Sequence, residues 1–229
     1  MPFLLLTLTA CIHDLPWRDT ADTGAEEAVA PALAEVAAGT VENGSFLRFD
    51  GLIASTGLTR DGRTFFLQTP EGDAGVRVDL AFTGAIGSMS PGDVITLQGY
   101  LDTGLGSPRL LVWEPDWLRR EAPVEPPAAM SLSLDDTSWQ AAAGRPIEVE
   151  NLTAENCPDD IGDVPLRQGP TLSDRFAPLP SGIQVGSTLG STTAILVQEW
   201  DTWQLWPLDA SAVQDVSGGR PCSPDIHPL

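Results

Sequence analysis

The chain has 229 residues, with 32 acidic and 12 basic side chains and a formal net charge of −20. That length suits one large or two small domains, and 42% hydrophobic against 19% charged residues supports a buried core and excludes a structureless acidic tail. Every basic residue is Arg and neither half carries a basic stripe, so the surface repels nucleic acid and its dispersed acidity serves solubility.

Residues 2–10 (Pro-Phe-Leu-Leu-Leu-Thr-Leu-Thr-Ala) form an uncharged apolar run ahead of Cys11. A permanent bilayer-spanning helix needs ~20 apolar residues, so this run reads as the apolar region of a signal peptide over residues 1–10. Leu8-Thr9-Ala10-Cys11 resembles the bacterial lipobox, in which leucine and small residues precede the lipid-bearing cysteine. The resemblance implies diacylglycerol on the Cys11 sulfur, cleavage before it, and palmitate-type acyl chains that anchor the protein to a membrane. Ile12 is not aspartate, which implies the outer membrane of a bacterial envelope. Residues 11–30 hold Asp14, Asp19, Asp22, Glu26 and Glu27 among small residues, and read as a disordered acidic tether.

The body is expected to be all-β. Pro31 to Ala38 reads as a short helix, with Pro in its first turn, Gly39 after its end, and Leu33 and Val36 facing a core. Strands follow at Phe46–Ala54, with a bend expected at Gly51, then at Arg63–Gln68, Gly75–Leu80, Val94–Leu101 and Pro108–Trp113. Five short strands in about eighty residues predict a small barrel spanning residues 31–121. Residues 122–130 form a Pro-rich extended linker.

Residues 131–216 repeat this order, with a helical turn at Ser138–Ala143 ending in Gly144 and a strand at Pro146–Leu152. Weak strands are read at Val164–Gln168 and Arg175–Phe176, then strands at Gly182–Gly186, Thr193–Gln198 and Trp203–Leu208; residues 217–229 read as a tail. Several residues match a known plan: Gly51, the aromatic strand Phe65-Phe66 ending at Gln68, Gly75-Val76 with Val78, and Gly92-Asp93-Val94 leading to Gly99. Over about residues 40–115 this resembles the OB-fold-like modules of bacterial secreted proteins and lipoproteins. The resemblance implies two OB-like five-stranded barrels in tandem, each preceded by a short helix. It argues fold and not activity.

With Cys11 assigned to lipid, Cys157 and Cys222 remain as an even pair. An oxidising compartment would join them in one disulfide, and two free thiols are the alternative. His13 and His227 lie near the two ends, no CxxC or HxxxH spacing exists, and no metal or other cofactor is expected. Asp159, Asp160 and Asp163 lack the alternating pattern of a calcium loop and read as a solvated turn, with weak Ca²⁺ binding as the alternative.

No GxSxG elbow, phosphate loop or nucleophile–histidine pairing occurs, and the chain is read as a non-enzyme. The candidate ligand face is Arg63, Phe65, Phe66 and Arg77 on the second and third strands, with barrel packing as the alternative role of the phenylalanines. Trp200, Trp203 and Trp206 are candidate interface residues. The expected function is that of a non-catalytic envelope lipoprotein whose tandem modules bind a protein or glycan partner. The competing readings are a secreted nucleic-acid-binding OB module and an accessory subunit or acid-pair hydrolase.

Overall fold

The computed structural model describes residues 28–84, 86–134 and 139–222. The signal peptide, Cys11 and most of the tether lie outside them. The described chain is mostly β, with two short helices and two sheets.

The first sheet comprises β1 (Phe46–Ala54), β2 (Thr64–Gln68), β3 (Gly75–Leu80), β4 (Val94–Asp102), β5 (Arg109–Val112) and β6 (Leu118–Glu121). Its order is β1-β2-β3-β5-β4-β6, and β1 also pairs with β4, so five strands close into a barrel and β6 extends it. β3 and β5 run parallel and the other pairs antiparallel. β4 alternates cleanly, turning Ile95, Leu97, Gly99 and Leu101 inward. β1 needs a break to keep its apolar residues inside. The register with β4 shifts between Phe49 and Leu52, and Gly51 takes φ 73°, which only glycine adopts cheaply. Phe65, Leu67, Val76, Val78 and Leu110 fill the core, and α1 (Leu33–Ala37) covers it with Leu33 and Val36. Val29, within the stretch read as tether, already pairs with Leu47.

The second sheet comprises β7 (Met130–Ser131), β8 (Pro146–Thr153), β9 (Val164–Pro165), β10 (Thr171–Leu172), β11 (Val185–Glu199), β12 (Thr202–Pro207) and β13 (Ser217–Arg220). It is ordered β7-β8-β11-β12-β10-β9, with β13 on β11. β10 and β12 are parallel, as β3 and β5 are. A single bridge, Ala154–Leu166, brings the β9 end back beside the end of β8. α2 (Trp139–Ala142) precedes β8, as α1 precedes β1.

Three expectations are corrected here. Arg175 and Phe176 form no strand; β10 lies earlier, at Thr171–Leu172, because Leu172 is the side chain that reaches the core. The segments 182–186 and 193–198 are not separate strands: residues 182–184 lie outside any strand, and from Val185 onward β11 runs unbroken for 15 residues through the second segment. Residues 217–220, read as tail, are a strand held at the sheet edge by the disulfide between Cys157 and Cys222, whose Cα atoms are 5.9 Å apart.

Candidate functional site: the seam between the two sheets

All five residues of β2 are buried, which a strand with one solvated face cannot be. Phe65 and Leu67 point into the barrel. Phe66 points out, into a third cluster with Ile195, Val197 and Trp206, against which Phe176 and Leu208 pack. The outward face of β2–β3 is thus covered by β11, β12 and the loop after β10. Phe66 meets the Trp206 ring edge-on at 5.6 Å and Phe176 at 6.2 Å. Such pairs contribute about 1 kcal/mol each beyond their buried area.

The backbones also join. Ser107 donates its N–H to the Gln198 carbonyl at 2.9 Å, and Gln198 N–H returns to the Ser107 hydroxyl at 2.9 Å. Gly75 and Gly144 touch so closely that a Cβ on Gly75 would overlap the Gly144 carbonyl.

Parallel pairing sets Arg77 beside Arg109, two like charges on adjacent strands. Asp79 resolves the repulsion by accepting from both, at 2.7 Å each. Arg109 also holds Asp102, Arg77 reaches across the seam to Glu199, and Glu199 accepts from Arg175 at 3.5 Å. Six residues of alternating sign therefore form one chain from the barrel to the second sheet. Arg77 and Arg175 flank the Trp206 ring, their guanidinium carbons 5.2 and 5.5 Å from its centroid. Burial alone would lower the Arg77 pKa, but Asp79 and Glu199 outweigh it and hold it above the ordinary value. Burial opposes ionisation of Asp102 too, but the Gly104 N–H and Arg109 together bring its pKa below the usual range.

Beside the seam a groove of about 400 Å³ is lined by Arg60, Asp61, Asp174, Arg175 and Glu199, among others. Arg60 pairs with Asp174. Asp61, whose burial works against its charge, accepts from the Thr59 hydroxyl at 2.6 Å and the Arg63 N–H at 3.1 Å, and its pKa falls. The groove is close to electrically balanced. Both histidines lie outside the described residues, and among the described residues no cluster of His, Cys, Asp or Glu could hold a metal ion.

The four residues of the candidate ligand face do not share one open surface. Phe65 is core, Phe66 and Arg77 are seam, and only Arg63 is exposed. The tryptophans separate as well. Trp206 is in the seam, Trp203 packs edge-on against Trp139 at 5.8 Å, and Trp200 is 70% exposed at the β11–β12 hairpin tip. In the acidic turn, the Asp159 carboxylate accepts from the N–H groups of Ile161 and Asp163. Asp163 is buried and not solvated, and its burial raises its pKa. Asp79, Arg109, Phe176 and Glu199 went unrecognised in the sequence. The outward spacing of Arg77 and Asp79 was a usable signal once β3 and β5 were known to be parallel.

No protein-family model matches the sequence, and no curated protein or solved structure is significantly similar to it.

Proposed function

We propose that this chain is a lipid-anchored protein of the bacterial cell envelope, on the outer membrane, whose two OB-like units form one non-catalytic body that binds a protein or glycan partner. Two lines support the OB-like reading. The first barrel closes in the order β1-β2-β3-β5-β4-β1 with β3 and β5 parallel. The second sheet follows the same circuit in reduced form, β8-β9-β10-β12-β11-β8, with β10 and β12 parallel and the Ala154–Leu166 bridge as its closing step. The anchoring follows from Leu8-Thr9-Ala10-Cys11.

The observation that carries the binding reading is the balanced groove, which draws on both units. Its carboxylates are engaged by Arg60, Arg175 or hydroxyl and amide donors, an arrangement suited to holding a neutral polar surface. The nucleic-acid reading loses its usual platform, because Phe66 and Arg77 face the second sheet. Mass spectrometry of the native N-terminus tests the anchor. Acyl chains on Cys11, with membrane association lost in Cys11→Ala, are expected; an unmodified Met1 on the native protein contradicts the proposal.

A further inference from the structure

Ser217, Gly218, Gly219 and Arg220 of β13 are all exposed, so this strand buries no apolar side chain. Gly218 and Gly219 hold φ of 70° and 96°, poor values for a regular ladder. Burial and propensity therefore do not account for its order. It is held by its ladder with β11, by the Ser187 hydroxyl donating to the Gly218 carbonyl at 3.3 Å, and by the bond from Cys222, two residues beyond Arg220, to Cys157. A covalent tie fixes a strand whose one charged group is the Arg220 guanidinium.

Arg220 shares a cleft of about 400 Å³ with Arg167, Val185, Gly186 and Gly219. Arg167 reaches it from the turn after β9, where its N–H donates to the Thr153 carbonyl at 3.0 Å. Nothing stands within 4 Å of where a Gly186 Cβ would be, so the wall there is open. Among the described residues eight ion pairs engage six arginines, and neither Arg167 nor Arg220 is one of them. In a chain of net charge −20, Arg167 and Arg220 line one concavity that has no carboxylate among its described lining residues. Both arginines are exposed, and an anion seated between them would be attracted by each.

We propose that this cleft binds a phosphate group. Guanidinium forks match phosphate oxygens, and a dianion answers two cations where a carboxylate answers one. The phosphate is either free or the monoester headgroup of a lipid. This inference does not depend on the groove at the seam or on the lipid anchor.

The test is an NMR titration of the full, disulfide-intact chain with inorganic phosphate, against acetate and chloride at matched ionic strength. Saturable shifts at the amides of residues 167, 186, 219 and 220 are expected with phosphate. Affinity should fall on the order of tenfold in Arg167→Gln or Arg220→Gln, and binding should vanish in the double variant while the amides of β1–β5 stay in place. Pelleting with phosphatidylcholine vesicles only when they contain phosphatidic acid, competed by free phosphate, assigns the headgroup source. Retained phosphate shifts without pelleting assign the free anion. Absence of saturable shifts, equal response to acetate, or undiminished binding in the double variant overturns the proposal.

Discussion

In the first barrel β1 and β4 register six residue pairs, and β2, β3 and β5 complete the circuit with ladders of their own. In the second sheet β9 and β10 have two residues each, the return to β8 rests on one bridge, and a disulfide ties the loop after β8 to the end of β13. The barrel holds its shape by hydrogen-bonded strands around a large core. The second sheet has a core of its own around Ile147, Leu152, Leu172 and Leu196, and adds to it one long strand, one cross-link and the seam. Full ladders and a covalent staple are alternative ways to restrain a sheet, and the protein uses both.

Deleting the seam should separate the two most strongly. Trp206→Ala removes the ring shared by Phe66, Phe176, Arg77 and Arg175, and should destabilise the chain by about 3–5 kcal/mol, read by denaturant unfolding. Replacing both Cys157 and Cys222 by alanine should cost about 2–4 kcal/mol. Hydrogen exchange should then speed up over β8–β13 and hold steady over β1–β5; equal loss in both would erase the contrast. Gly75→Ala, at a position free of backbone strain, should cost about 1–3 kcal/mol because its Cβ forces the Gly144 backbone away.

The smallest effect concerns Asp163. Its folded pKa is raised by burial, so the folded state binds the proton more tightly than the unfolded chain does. The contribution of Asp163 to stability is therefore greatest below the unfolded value and declines as pH rises from there through the raised folded value. Asp163→Asn should flatten that decline and give a small gain in stability at pH 7, with no gain at pH 3 in thermal melts.

The first barrel was legible because β3, β4 and β5 follow period-two alternation, and the bounds of β1 and β3 and the bend at Gly51 were all readable. The middle of the second sheet was not, because two-residue strands such as Val164–Pro165 carry no periodicity and are placed by Leu166 and Leu172 reaching the core. The seam was legible only in fragments. Phe65-Phe66 signalled a strand with aromatic residues on both faces, but what covers Phe66 depends on Phe176, a loop residue 110 positions away with no pattern to announce it. The alternating charges were hidden for a similar reason, since Arg109 meets Asp79 only after a parallel pairing that local sequence does not encode.

Equilibrium unfolding of the full chain, followed together by tryptophan fluorescence and far-ultraviolet circular dichroism, asks whether the seam makes one body of the two units. A single coincident transition that splits in two on Trp206→Ala is the expected result. Two separate transitions in the unaltered protein would mean that the units merely touch, and that neither the covered β2–β3 face nor the groove beside it is a fixed feature of the molecule.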